Sequence, residues 1–406
     1  MLDHMSKKLR TGSSSARDLF QAERDQAGRL IAAPWSQRPG VLPAQEIKRL
    51  MERRSIRADQ LPIEQGQIQP ASLDLRLGKV AYRIHASFFP GKGARVEDRL
   101  PDLKAHQFYL ANDAILEKNG VYLIELEESL FLSEVYSAAA NPKSSTGRLD
   151  IFTRLITDEA DVFDVIAPGY KGKLWAEVSP RTFSIKVRRG VCLNQIRFRR
   201  RAPNQTDYQS LIVADKQLQE IHSNTPLVDD DVIIRNGLNI RVNLDKTNGS
   251  TIVGFRAKKH TAVIDLASIN QYDADKFWER LLHVPSKDLL LEPGEFYILA
   301  SKEKIHIPQK LAAEMTAFDP TVGEFRVHYA GFFDPGFGGS SGGPGSRAVL
   351  EVRTHDMAFL LRDGQTIGRL TFEKLTSTPD IIYGEDIDSN YQGQGLKLSK
   401  HFRPIQ

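Results

Sequence analysis

Asn141-Pro142-Lys143-Ser144-Ser145-Thr146-Gly147-Arg148 opens the stretch, ending at Phe198, around which the chain is organised. Two adjacent hydroxyls lie between Lys143 and Arg148 on a turn opened by Pro142 and loosened by Gly147. Donors and two positive charges thus share one small concavity, the outline of a polyanion cradle. The same residue types also make ordinary solvated turns. The residues downstream are more specific: Ala167-Pro168-Gly169-Tyr170-Lys171-Gly172 is a hairpin signal, and Leu174-Trp175-Ala176-Glu177-Val178 is a short strand carrying one carboxylate. Gly190 then leads into a second strand, Val191 to Phe198.

Upstream, residues 1–42 read as a polar extension with a weak helical pattern from Ala16 to Leu30. They hold no apolar h-region, so no secretory signal is expected. Ile47, Leu50 and Met51 share one helical face, which predicts a short amphipathic helix over 44–51. Leu73-Asp74-Leu75-Arg76-Leu77 alternates strictly and predicts a strand, with Asp74 and Arg76 read as a cross-strand ion pair.

At 406 residues the chain has room for two or three domains, and 41% apolar with 26% charged residues is ordinary for a soluble globular protein. No run approaches the roughly 18 apolar residues of a membrane span. A net charge of +4 is too weak to suggest nucleic acid as a partner. The single Cys192 excludes an intrachain disulfide and points to a reducing compartment, so a cytoplasmic location is expected. Zinc-dependent nucleobase deaminases need His-x-Glu and Pro-Cys-x-x-Cys. Neither motif is present, so any deamination here must activate water without protein-bound zinc.

The chain also repeats itself. Leu73-Asp74-Leu75-Arg76 recurs as Leu238-Asn239-Ile240-Arg241, Pro168-Gly169-Tyr170 as Pro335-Gly336-Phe337, and Glu177 to Phe198 matches Glu351 to Phe372 without a gap. Short strands with turn signals fill both copies, which predicts an all-β architecture. Between them lies a polar connection with a short helix expected from Asp215 to Ile221. The basic run Arg197, Arg199, Arg200 and Arg201 reads as a solvated strand end.

Together, the Ser-Ser-x-x-Arg loop, the Pro-Gly-aromatic hairpin, the strand with Glu and the Pro70-Ala71-Ser72-Leu73-Asp74-Leu75-Arg76-Leu77-Gly78 strand resemble the dCTP deaminase family of the dUTPase-like superfamily. The resemblance implies two tandem dUTPase-like (β-clip) barrels with a short N-terminal helix, the first over residues 43–203 and the second over 227–378. A linker over 204–226 joins them. The tail over 379–406 resembles the family's terminal Lys-Tyr-x-x-Gln segment and would close over nucleotide through Tyr391, Gln394 and Lys397. Asn390 stands where the family commonly has lysine.

The copies are not equivalent. Opposite Lys143 to Arg148 the second copy has Asp319 to Glu324, with a carboxylate in place of the arginine. The second copy, however, keeps Asp334-Pro335-Gly336-Phe337 and Val349-Leu350-Glu351-Val352, whereas the first has Ala167 where that Asp should be. In this superfamily sites form between neighbouring barrels, and complementary loss implies a composite site. Its loop would come from the first copy and its hairpin and strand from the second, within one chain or between chains. One competing reading keeps Glu177 with Ser144 and Arg148 inside the first copy. Another has both glutamates merely buried and hydrogen-bonded.

The resemblance implies hydrolytic deamination of dCTP to dUTP and ammonia in pyrimidine deoxynucleotide synthesis. There would be no protein-bound metal, Mg2+ would arrive with the triphosphate, dTTP would inhibit, and the protein would be a homo-oligomer. Glu351 would shuttle protons, Ser144 position water, Arg148 fix the carboxylate and orient the base, and Lys143 and Ser145 hold phosphates. Backbone near Ala330 would read the cytosine edge, and Asp334 the sugar hydroxyl. A dUTP diphosphatase, a bifunctional enzyme and a catalytically degenerate nucleotide-binding regulator are the alternatives. The Gly-rich Gly336 to Gly345 stretch reads as a hairpin tip or a lid.

Overall fold

The computed structural model describes residues 38–201, 211–247, 249–317, 325–327, 331–339, 345–354, 356–384, 386 and 391–405. The expectations for residues 1–37, the Asp319–Glu324 loop, Ala330, Asn390 and the centre of the Gly-rich stretch lie outside them.

Each copy is a barrel-like assembly of mainly antiparallel strands. In the first, strand Leu73–Ile84 lies between Cys192–Arg200 and Val121–Phe131, with Leu73 opposite Ile196. In the second, Leu238–Arg241 pairs with Thr366–Lys374, with Leu238 opposite Leu370, the same place in the repeat. The side-chain bonds repeat as well. Arg76 donates from its backbone N and from Nε to Glu128, each at 2.8 Å. Arg241 does the same to Glu303, at 3.1 and 2.5 Å. The expected Asp74–Arg76 pair therefore does not form; Asp74 bonds Lys143 instead. Two positions apart on one strand, Asp74 and Arg76 share a face, but each is engaged by a group from another segment, Arg76 by Glu128 and Asp74 by Lys143.

The predicted helix spans Ala44–Glu52 and buries Ile47 and Leu50, with Glu46 in its first turn, where the helix dipole favours a negative charge. Ser377 of the second copy donates to Glu46 Oε1 at 2.8 Å, so this helix also ties the copies together. The linker helix runs Asp215–Asn224 and buries Leu218 and Ile221. Among the described residues no helix is long and apolar enough to cross a membrane.

The two apolar cores meet. The first contains Leu75, Ile124, Leu155 and Phe198 and extends into Phe277, Trp278 and Phe296 of the second copy. Phe183 packs edge-on against Phe277 and Trp278, with ring centroids 5.9 and 5.4 Å apart. Strand Ile185–Val187 of the first copy pairs in parallel with Ile264–Asp265 of the second.

Two members of the basic run are not solvated, whereas Arg200 and Arg201 at its end stay part-exposed. Arg197 is fully buried and Arg199 nearly so. Arg199 Nε lies 2.6 Å from Glu373 Oε1, and Arg197 Nη1 3.5 Å from Glu373 Oε2. The side chains of Ile196 and Phe198 belong to the first core, so those of Arg197 and Arg199 face the other copy, where carboxylates receive them.

Candidate active site

Ser144–Gly147 is a single helical turn following strand Tyr136–Pro142. Successive side chains on such a turn diverge by about 100°, and the two serines separate accordingly. Ser144 faces one pocket, while Ser145 faces a second cavity with Thr146, Cys192, Lys400 and His401. Lys143 borders both and is ion-paired with Asp74. The strand carrying Asp74 is thus not remote from the candidate site.

The first pocket brings Lys143, Ser144 and Arg148 of the first copy together with Asp334 and Glu351 of the second, inside one chain. Met315, Phe332, Phe333, Phe337 and Val349 supply apolar walls, and Tyr391 and Gln394 of the tail close one side. Glu351 sits mid-strand in Ser346–Thr354, opposite Ile298. It is 6% exposed, and burial pushes its carboxyl up to about 7, with Arg148 pulling the other way and Asp150 adding to the rise. Arg148, 2% exposed, donates from Nε to Ser144 Oγ at 3.2 Å and from Nη1 to the Lys397 carbonyl at 2.9 Å. Its guanidinium lies 3.8 Å from the centre of the Tyr391 ring. An arginine held on three sides presents a fixed charge to whatever enters.

Asp334 opens the Asp334-Pro335-Gly336-Phe337 turn. Gly336 has φ +90°, and a Cβ there would collide with Ile382 Cγ2, so glycine is required twice over. Gln392 clamps this turn by accepting from Gly338 N at 3.0 Å and donating to Gly336 O at 3.1 Å. Burial raises the Asp334 carboxyl, while Arg197, 3.5 Å away, opposes the rise.

The tail is bonded to both copies. Gln394 Nε2 donates to Arg347 O at 3.0 Å, leaving its buried Oε1 without a hydrogen bond. Ser399 Oγ donates to Ser145 O at 2.9 Å. Lys397 lines neither cavity; its ammonium lies 5.7 Å from the Tyr391 ring centre. The tail cation facing the Ser145 cavity is Lys400.

Glu177 is elsewhere. It is buried on the strand Lys171–Pro180, and burial raises its pKa while Ser87 and Arg154, opposite it on the neighbouring strand, pull the other way. The segment that begins at Ser87 packs over this side of the barrel. Gly91 N donates to Ala160 O at 3.1 Å, Val96 N to Asp158 Oδ1 at 2.9 Å, and Phe89 and Phe163 pack with centroids 4.4 Å apart. Glu177 therefore does not share a pocket with Ser144 and Arg148.

The comparisons with known proteins agree with this architecture. Residues 38–202 match the 2′-deoxycytidine 5′-triphosphate deaminase (DCD) N-terminal domain, and residues 214–402 match the C-terminal domain of the same family. The crystal structure of 2′-deoxycytidine 5′-triphosphate deaminase from Agrobacterium tumefaciens superposes with a TM-score of 0.78 at 47% identity, covering 83% of this chain and 99% of that one. The fold is therefore dUTPase-like. Similarity also extends to proteins named "dCTP deaminase, dUMP-forming". That of Halobacterium salinarum is 29% identical over 126 residues, 30% of this chain and 60% of its own length. That of Streptomyces griseus is 34% identical over 119 residues, 28% of this chain and 59% of its own length. The chain thus spans about 60% of the length of these curated relatives. It belongs to the dCTP deaminase family.

Proposed function

We propose that this chain deaminates dCTP hydrolytically, with Glu351 as proton shuttle. The observation that carries the reading is the buried Glu351 of one copy sharing a pocket with Arg148 and Ser144 of the other. Attack of water at C4 requires a base for its proton, then delivery of a proton to N3 and another to the departing amine. A carboxyl poised near 7 serves both directions close to neutrality. Ser144, bonded to Arg148, orients the water, and Arg148 keeps Glu351 able to ionise. dCTP and water then give dUTP and ammonia, with each proton taken from water returned to the pyrimidine or its leaving group. Asp334 accepts from the sugar hydroxyl. Lys143, which borders this pocket, holds phosphate, with Mg2+ entering as part of the nucleotide.

A second reading, deamination followed by cleavage to dUMP and pyrophosphate, is favoured by the names of the dUMP-forming relatives. Ammonia and pyrophosphate release by the purified protein on dCTP and on dUTP decides. Ammonia alone supports the deaminase, and both products from dCTP support the two-step reaction. Pyrophosphate from dUTP without ammonia from dCTP, or tight dCTP binding with neither product, overturns the proposal.

A further inference from the structure

The proposed chemistry leaves one buried cation without a role. Arg197 belongs to the first copy, yet its guanidinium is surrounded by the second. Nη1 donates to Ala313 O at 2.9 Å, and Nη2 donates to Phe333 O at 3.3 Å. Nη2 also lies 3.5 Å from Asp334 Oδ1, and Nη1 lies 3.5 Å from Glu373 Oε2. The guanidinium carbon is 4.1 Å from the centre of the Phe332 ring. Three of these partners, Phe332, Phe333 and Asp334, are consecutive residues of the pocket wall.

Interface adhesion alone would be served by Glu373, which Arg199 already engages through two nitrogens at 2.6 and 3.1 Å. Arg197 differs in reaching the site. Asp334 Oδ1 has the ion pair but no hydrogen bond, so it is buried with acceptor capacity to spare. A carboxylate so enclosed needs a fixed counter-charge to remain an acceptor for a hydroxyl. The planar fork of arginine holds both the carboxylate and the adjoining carbonyl, which fixes the direction in which the spare lone pairs point.

We infer that Arg197 is a positioning residue that aims Asp334 at the 3′-hydroxyl of the bound deoxyribose, so that one copy orients the sugar contact of the other. This rests on the proposed reading of the site as a deoxynucleotide pocket. The test compares dCTP with 2′,3′-dideoxycytidine triphosphate, which lacks the hydroxyl in question. Wild-type protein should favour dCTP in kcat/KM by about 10- to 100-fold, the usual worth of a hydrogen bond to a charged group. In Arg197→Met that preference should collapse towards one, mainly through KM, as it should in Asp334→Asn. Combining the two changes should add nothing further to the loss of preference. Arg197→Lys, which keeps the charge but not the fork, should restore part of it and serves if the Met variant does not fold. Arg199→Met is the adhesion control: it should lower thermal stability and leave the preference intact.

If wild type turns over dCTP with the expected preference while Arg197→Met and Arg197→Lys keep it in full, the inference is overturned and the site reading stands. Wild type that fails to distinguish the two nucleotides overturns the sugar role of Asp334 itself, and wild type inactive on dCTP overturns the deaminase reading.

Discussion

Asp150 and Arg353 form an ion pair between the two copies. Each stands two residues beyond a pocket residue, Asp150 after Arg148 and Arg353 after Glu351. The order of charge is reversed: the first copy gives arginine then aspartate, and the second glutamate then arginine. Thr182 Oγ1 completes the junction by donating to Asp150 Oδ2 at 2.5 Å. The pair therefore registers the loop of one barrel against the strand of the other next to the proposed reacting centre.

Asp150→Asn should act on both stability and chemistry. Breaking a buried pair while leaving its partner costs on the order of 3 kcal/mol, read as a lower denaturation midpoint. The negative charge of Asp150 also helps to raise Glu351. Its removal should move the acid limb of the kcat/KM profile to lower pH, and an unmoved limb would separate the pair from the chemistry.

Glu351→Gln preserves shape and removes the titrating group. Turnover should fall by about two to four orders of magnitude, while calorimetry still detects nucleotide binding. Glu177→Gln, outside the pocket, should leave turnover close to wild type. The reverse pattern would return the chemistry to the first copy.

The pH dependence has a definite sign. Glu351 must begin ionised to take a proton from water, so kcat/KM should rise with pH through a limb near 7. Stability runs the other way. A carboxyl whose folded value exceeds its ordinary 4.5 favours the folded state fully below 4.5, and that contribution is lost as pH rises to about 7. Glu351→Gln should consequently melt higher than wild type at pH 8, by an equivalent of at most roughly 3 kcal/mol. Equal melting at pH 8 would argue against a raised carboxyl.

Arg148→Ala and Ser144→Ala should each abolish most turnover of dCTP. Because loop and strand meet within one chain, mixing Arg148→Ala chains with Glu351→Gln chains should restore nothing. Recovery in the mixture would show that the productive contact lies between chains.

The strand order, the repeat and the meeting of Arg148 and Glu351 in one pocket are legible because alternation, turn chemistry and complementary loss are written locally. Ser145 was misplaced in effect by its neighbour: adjacent hydroxyls look like one cradle in sequence, but a helical turn sends them to separate cavities. Arg197 and Arg199 carried a readable signal, two cations alternating with Ile196 and Phe198. Whether that face meets water or protein depends on Glu373 and Glu314, far along the chain. The isolation of Glu177 was likewise hidden, since nothing in the Ser87 to Leu103 segment announces which face it covers.

The covalent joining of the two barrels has a further consequence. A pocket assembled from separately made subunits obeys mass action and comes apart on dilution, whereas here the loop and the strand are parts of one polypeptide and keep a constant local concentration with respect to each other. Specific activity should then be independent of protein concentration down to the most dilute assay, and a single chain should carry a complete reaction centre wherever it diffuses.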